Sequence, residues 1–166
     1  MLLNVATRDA AAAGYETLVA CTKQAKPDAA IDGVLVSPML AGGVETLLGI
    51  HRDAVVGPVV MFGIGGIFAE IYRDVAFLSP PFGTDDALRM IQSIRGWPML
   101  AGARGRAKAD VAALADALVR LGAYAAQYGD DIESLDINPF VVRPEGEGAI
   151  ALDAWLIARS TSSQRH

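Results

Sequence analysis

Two carboxylates and one amide near the C-terminus have the residue types and the spacing of a divalent-metal site. Asp136 and Asn138 are two residues apart, and residues at that spacing share one face of an extended strand. Asp153 lies in the next apolar segment along the chain. Carboxylate and amide oxygens suit Mg²⁺, which commonly takes one or two protein oxygens and completes its coordination with water and substrate phosphates.

A β-hairpin would bring these residues together. The apolar segments 135–142 and 149–156 predict two strands, and the glycine-rich sequence between them predicts a turn. A turn centred at 145–146 places Asn138 directly opposite Asp153, and the Cβ atoms of such a pair are about 4.5–5.5 Å apart. The alternative is that the Asn-Pro step is a strand irregularity and Asp153 a solvated acid, because a register slip of one residue breaks the arrangement.

A glycine cluster, Gly-Ile-Gly-Gly-Ile-Phe at 63–68, follows another predicted strand, as a phosphate-binding loop does. Phe68 stands where the dinucleotide-binding pattern requires glycine, and no lysine follows to form a P-loop. Glycines also serve close strand packing or a tight turn. Both interpretations of the cluster stay open.

The other reactive side chains predict no catalytic centre. Cys21 lies in a predicted helix and is interpreted as a buried structural thiol. The triplet 51–53, His-Arg-Asp, matches only the first three residues of the kinase catalytic loop and is interpreted as the end of a strand. Arg104 and Arg106 lie in a glycine-punctuated loop, which either binds phosphate or is solvated and flexible.

Helices and antiparallel strands must position these residues. Apolar periodicity predicts three helices, at 9–24, 84–94 and 110–129. Strands are predicted ahead of the hairpin at 33–37, 44–51, 59–62 and 68–77. Thr84 is the predicted cap of the second helix. Grouped strands, then helices and a terminal hairpin, predict an α+β fold with a mainly antiparallel sheet, one domain over 1–159 and a polar tail at 160–166.

Composition narrows the class of protein. The 166 residues, 52% of them hydrophobic, suffice for one domain with a real core. A net charge of −5 without a basic run excludes a nucleic-acid footprint. The longest uncharged run, 54–69, is shorter than the roughly 20 residues that a membrane-spanning helix needs. With no visible signal peptide and a single cysteine, the expected location is the cytoplasm.

Four motifs in order along the chain resemble the ATP-grasp region of NDP-forming (ADP-forming) acyl-CoA synthetases. They are Gly33–Met39, Gly43–Glu45, Gly57–Glu70 and Asp136–Pro139. The same region is similar, more distantly, to the succinyl-CoA synthetase β subunit. The resemblance covers the chain from Leu3 to Ile157 and implies the C-terminal lobe of an ATP-grasp fold.

The resemblance implies that this lobe contacts ATP or ADP. The backbone of one strand would read the edge of the adenine, an acid after it would help to hold the nucleotide, and a glycine pair would follow. The residues that match are Leu35, Val36, Ser37, Glu45, Gly65 and Gly66.

The resemblance also implies a metal and a phosphoryl carrier. Asn138 and Asp153 match the magnesium ligands of the family, in agreement with the hairpin register. Asp136 matches an acid that lies near a phosphohistidine supplied by a partner domain, which makes it the candidate catalytic residue. The implied reaction converts an acid, CoA and ATP into acyl-CoA, ADP and phosphate.

The expected partners are an N-terminal ATP-grasp lobe and domains that bind CoA and bear the histidine, supplied in cis or in trans. Without them, the isolated chain is expected to be inactive and to self-associate through its uncovered apolar surface. Two alternatives stay open. One is a regulatory or assembly module of the kind fused to protein acetyltransferases, and the other is an inactive truncated product.

Overall fold

The computed structural model of the protein describes residues 1–65 and 74–159, apart from the side chain of Arg104. The chain divides into two compact units, Met1–Ala41 and Gly42–His166, each of which is described by itself. Gly66, part of the predicted strand at 68–77 and the predicted tail at 160–166 lie outside the described residues. The single domain over 1–159 stays a prediction.

The first unit contains one long helix, α1 (Arg8–Ala25). Thr7 is its N-cap, and the Thr7 Oγ1 atom accepts a hydrogen bond from the backbone N–H of Ala10 at 3.1 Å. Asp9 lies in the first turn, where the helix dipole favours a negative charge. The helix predicted at 9–24 is therefore confirmed, with one residue more at each end.

The strand predicted at 33–37 is wrong, because residues 29–41 form neither helix nor strand. Leu35 is 91% exposed and Val36 is 80% exposed. An apolar run becomes a strand only when a neighbouring strand satisfies its backbone N–H and C=O groups, and the described part of the first unit contains no other strand. The segment instead borders an apolar groove of about 720 Å³ beside α1.

The second unit is built on a single antiparallel sheet. Its strands in chain order are β1 (Val44–Asp53), β2 (Gly57–Ile64), β3 (Val75–Leu78), β4 (Ile132–Val142), β5 (Ala149–Ala151) and β6 (Ala154–Ala158). Across the sheet the order is β3-β2-β1-β4-β5, and β6 also pairs with β4. The predicted α+β class, antiparallel sheet and terminal hairpin are confirmed.

Helices cover one face of this sheet. They are α2 (Thr84–Ser93), the short α3 (Trp97–Leu100) and α4 (Val111–Tyr128), with 3₁₀ turns at Ala103–Gly105 and Gly129–Asp131. Leu114 and Leu118 of α4 pack in one core with Leu48, Ile50 and Phe62 of the sheet, and all five side chains are almost fully buried. Burial of this apolar surface is the main force that holds the helices on the sheet.

The caps of α2 and α4 have different origins. Gly83, not the predicted Thr84, is the N-cap of α2, and the Asp86 carboxylate accepts a hydrogen bond from the Gly83 N–H at 3.2 Å. A side chain at the third helical position can accept a hydrogen bond from the backbone N–H of the N-cap residue. The N-cap of α2 can therefore be a residue without a side chain. Asp110 caps α4 as predicted.

The opposite face of the sheet carries a row of paired residues from five strands. In order across the sheet they are Phe77, Met61, Gly49, Asp136 and Trp155. Directly paired residues point to the same side of a sheet, so Asp136 shares this face with its neighbours in the row. Phe77 is 54% exposed and Trp155 is 69% exposed. We call this surface the open face.

Within residues 1–65 and 74–159, no helix combines the length and the apolar character needed to cross a bilayer.

Candidate functional site

The C-terminal hairpin has the register that its sequence predicts. Phe140 pairs with Ala151, and Ile137 pairs with Ala154. Between these pairs, the Asn138 N–H donates a hydrogen bond to the Asp153 carbonyl oxygen at 3.2 Å. The position of Asn138 opposite Asp153 is therefore confirmed.

The Asn-Pro step is also a strand irregularity, as the alternative interpretation expected, and the irregularity occurs together with the predicted register. On the other side of β4, Ile137 pairs with Leu48 and Phe140 pairs with Thr46, which leaves two β4 residues opposite Leu47. Such a β-bulge bends the strand and redirects its side chains. The buried Thr46 hydroxyl donates a hydrogen bond to the Phe140 carbonyl oxygen at 2.7 Å and so stabilises the bulge.

The bulge changes which residues of β4 face the core. Before it, the odd-numbered Leu135 packs in the core, and after it the even-numbered Phe140 and Val142 do so. Asp136, which precedes the bulge, consequently faces away from the helices. A strictly alternating strand would turn either Asp136 or Phe140 to the wrong side of the sheet.

The donor atoms at the hairpin fit a magnesium ion. Asn138 and Asp153 are both exposed, and they supply one amide oxygen and one carboxylate. One Asp153 oxygen, Oδ1, accepts a hydrogen bond from the Ala154 N–H at 2.8 Å. No cluster of three or more His, Cys, Asp or Glu side chains suited to a metal occurs among the described residues. Two hard oxygen donors are the set expected where phosphate and water complete the coordination, and the metal role stays a prediction.

Asp136 lies beside a histidine that sequence reasoning interpreted only as the end of a strand. The distance between His51 Nε2 and Asp136 Oδ1 is 3.2 Å. The side chains of the two residues are 37% and 43% exposed. The pairing of β1 with β4 creates this contact, and the strands are about 85 residues apart in sequence, so no local pattern reveals it. One feature of the sequence could have indicated the contact. Gly49 lies two residues before His51 on the same face of the strand, and a residue without a side chain leaves space beside it.

Glu45 and Gly65, both predicted nucleotide contacts, lie together at one end of the sheet. The Gly65 N–H donates a hydrogen bond to the Glu45 carbonyl oxygen at 2.8 Å. A Cβ atom on Gly65 would lie 3.2 Å from that oxygen, so a larger residue would push the two segments apart. Close packing is thus one function of this glycine, and its role in nucleotide binding stays a prediction.

The remaining predicted nucleotide contacts lie in the first unit or outside the described residues. Leu35, Val36 and Ser37 belong to the first unit, where they border the groove beside α1. Gly66 lies outside the described residues. Their assignment rests on the sequence resemblance.

Asp110 ties the hairpin loop to the helical layer. Its carboxylate accepts hydrogen bonds from the backbone N–H groups of Ala113 at 3.0 Å, Gly148 at 2.9 Å and Gly146 at 3.0 Å. Donation by Ala113, followed by that of Gly148, lowers the pKa of the Asp110 carboxyl below its ordinary value. The loop that follows β4 is therefore anchored to the start of α4.

The sequence and fold match proteins of one kind. The ATP-grasp domain family matches residues 1–157. The β subunits of ADP-forming acetate–CoA ligases II and I from Pyrococcus furiosus are 38% and 41% identical to the chain, over 96% and 93% of its length. The matched regions amount to 67% and 66% of those subunits, so the chain spans about two thirds of them. It spans 21% of the ADP-forming acetate–CoA ligase I of Archaeoglobus fulgidus.

The acetyl-coenzyme A synthetase 1 of Candidatus Korarchaeum cryptofilum has the same fold. Its structure with coenzyme A, acetyl-coenzyme A and a phosphorylated phosphohistidine segment superposes with a TM-score of 0.87 at 35% identity, covering 95% of this chain and 69% of that one. Another structure of that enzyme contains coenzyme A and Mg-AMPPCP, with a TM-score of 0.67 at 38% identity, and covers 72% of this chain and 55% of that one. The chain therefore belongs to the ATP-grasp domain family, in the branch that contains the β subunits of ADP-forming acetate–CoA ligases.

Proposed function

We propose that this chain is the nucleotide- and magnesium-binding lobe of an ADP-forming acyl-CoA ligase. The complete reaction would convert an acid, CoA and ATP into acyl-CoA, ADP and phosphate. The observation that carries the proposal is the opposed pair of Asn138 and Asp153 at the β4 bulge, two residues from Asp136 on the open face. Phosphoryl transfer from ATP depends on a metal that neutralises the phosphate charge and on groups that position the acceptor, and these three side chains could supply both.

The proposed contacts follow one another along β1 and β4. Glu45 pairs with Val141 at one end, and Gly49 pairs with Asp136 further along. At about 3.3 Å per residue, the four-residue step from Glu45 to Gly49 spans roughly 13 Å. The bulged hairpin pair lies between these positions. This order supports a nucleotide that extends along the strands, with its base toward Glu45 and its terminal phosphate toward Asp136.

Each residue would have a distinct role. The backbone of Leu35, Val36 and Ser37 would recognise adenine, and Glu45 with Gly65 and Gly66 would border the nucleotide. Asn138 and Asp153 would hold Mg²⁺, which supplies neutralisation of the phosphate charge when it is bound.

Asp136 would orient the histidine that accepts the phosphoryl group. One imidazole nitrogen uses its lone pair to form the bond to the γ-phosphorus, and the bond to the bridging oxygen breaks, so ADP leaves with that electron pair. The proton on the second imidazole nitrogen stays there and is donated in a hydrogen bond to the Asp136 carboxylate. A carboxylate in this position stabilises the positive charge that the ring acquires.

The remaining components would come from the parts of the enzyme that this chain does not span. These are the N-terminal ATP-grasp lobe and the domains that bind CoA and carry the phosphorylated histidine, in the same or another polypeptide. Phosphoryl transfer depends on groups held on both sides of the nucleotide. The lobe alone would accordingly show no turnover.

The metal assignment is tested by the affinity of the complete enzyme, or of this chain reconstituted with the N-terminal lobe, for Mg-ADP. Calorimetry on the Asn138→Ala and Asp153→Ala variants should show affinity at least about tenfold weaker than in the unchanged protein. Asp130→Asn is the control, because Asp130 is 88% exposed, pairs with Arg52 and precedes β4, eight residues from Asn138 in sequence.

A chelator adds an independent measure. Removal of Mg²⁺ with EDTA should weaken ADP binding by the unchanged protein to the level of the two alanine variants, and should change those variants little. Unchanged Mg-ADP affinity in both alanine variants would show that the hairpin does not bind the metal.

A further inference from the structure

His51 is held against Asp136 at the centre of the open face. The His51 Nε2 atom is buried although 37% of the side chain is exposed, so the ring turns this nitrogen inward. The 3.2 Å separation from Asp136 Oδ1 is a close contact between polar atoms without the alignment of a hydrogen bond. Within the described residues, no lysine or arginine side chain lies within ion-pair distance of the Asp136 carboxylate.

Gly49 provides the space for this contact. It pairs directly with Asp136 and precedes His51 by two residues, so all three positions share the open face. A Cβ atom on Gly49 would lie 3.3 Å from His51 Nε2 and 3.4 Å from Asp136 Oδ1. A side chain at this position would therefore occupy the space across which the histidine and the carboxylate meet.

The contact is flanked by apolar residues on the β2 side, whereas Ser134 pairs with His51 on the β4 side. Val59 of β2 pairs with His51, and Met61 pairs with Gly49. Apolar neighbours on one side limit the access of water and strengthen the attraction between polar groups. The ring of His51 therefore limits the orientations that the Asp136 carboxylate can adopt.

We propose that His51 is a positioning residue, which engages Oδ1 of Asp136 and leaves Oδ2 to accept a hydrogen bond from the incoming imidazole. This inference rests on the proposed function and adds a residue to it. His51 itself does not touch the nucleotide or the transferred phosphoryl group. Its loss should slow phosphoryl transfer while nucleotide affinity is retained, because the carboxylate would be present but free to rotate.

The test compares His51→Ala, His51→Gln and Asp130→Asn in the complete enzyme. Gln can direct a side-chain N–H toward Asp136, whereas Ala cannot. Asp130→Asn removes the partner of the neighbouring Arg52 and serves as the matched control. Two quantities are measured for each protein, namely the Mg-ADP dissociation constant and the rate of phosphoenzyme formation from γ-³²P-labelled ATP.

The expected result is a 10- to 100-fold slower phosphoenzyme formation in His51→Ala, with the Mg-ADP dissociation constant changed less than about threefold. His51→Gln should recover most of the rate, and Asp130→Asn should match the unchanged enzyme. An unaffected rate in His51→Ala, equal losses in the Gln and Ala variants, or a parallel loss of nucleotide affinity would each overturn the positioning role. Absence of any phosphoenzyme in the unchanged complete enzyme would instead refute the proposed function, and this inference with it.

Discussion

Replacement of Gly49 by Ala tests the packing on which the centre of the open face depends. The added Cβ atom would lie 2.8 Å from the Leu135 carbonyl oxygen, closer than such contacts normally come. That oxygen belongs to the backbone of the paired strand and cannot rotate away. The β1–β4 ladder must therefore shift at its centre.

Two opposing effects set the magnitude. Ala is favoured over Gly in a strand interior by about 0.5–1 kcal/mol, because Gly loses more conformational freedom on folding. Overpacking of a well-packed site is unfavourable by about 1–3 kcal/mol. The steric effect dominates, since the backbone oxygen has no alternative position. We expect Gly49→Ala to lower the free energy of unfolding by about 1–2 kcal/mol, which corresponds to a fall of about 2–8 °C in Tm for a chain of this size.

The assay is thermal and chemical unfolding followed by circular dichroism. Gly33→Ala is the matched control, because Gly33 is exposed and a Cβ atom there meets nothing within 4 Å. Its free energy of unfolding should change by less than about 0.5 kcal/mol. A Gly49→Ala protein as stable as the unchanged chain would refute the reasoning, because β1 and β4 would then accommodate the extra atom.

Two further predictions concern the hairpin anchor and the exposed segment of the first unit. Asp110→Asn should lower the Tm at pH 7, and the difference from the unchanged chain should shrink as the pH falls below about 4. The depressed pKa of Asp110 means that its carboxylate stabilises the fold above the unfolded-state pKa and stops doing so as the pH falls through the lower folded-state pKa; an undiminished difference at pH 3 would contradict this. The isolated chain should also self-associate with rising concentration in sedimentation, since Leu35 is 91% exposed and Val36 is 80% exposed. A double Leu35→Ser, Val36→Ser variant should associate less, and a strictly monomeric unchanged chain would refute the expectation.

The hairpin was predictable because its information is local. A glycine-rich turn fixes which residues pair across it, and the predicted opposition of Asn138 and Asp153 depends on no distant contact. The three longer helices were predictable for a similar reason, since apolar periodicity and a capping acid such as Asp110 act within a few residues, whereas the short α3 was not predicted.

The wrong strand at 33–37 and the contact that the sequence did not reveal both depend on partners that local sequence does not specify. The segment at 33–37 has the composition of a strand, but a strand also needs a neighbour, and its described unit contains none. The contact between His51 and Asp136 needed the β1–β4 register, which includes a bulge. A regular register counted from the sequence would be displaced by one residue on one side of that bulge.

The two-for-one step at Asn138 constrains how this lobe can be recombined with its relatives. From Leu135 to the step the odd positions of β4 face the core, and after the step the even positions Phe140 and Val142 do so, so the core-facing phase of the strand changes at this point. A chimera with a crossover inside β4 keeps the correct residues facing the core on both sides of the bulge only when the two parents carry the extra residue at the same place. Gene shuffling should therefore place its junctions outside β4, for example in the loop between β4 and β5. The whole of β4, including its bulge, then comes from one parent.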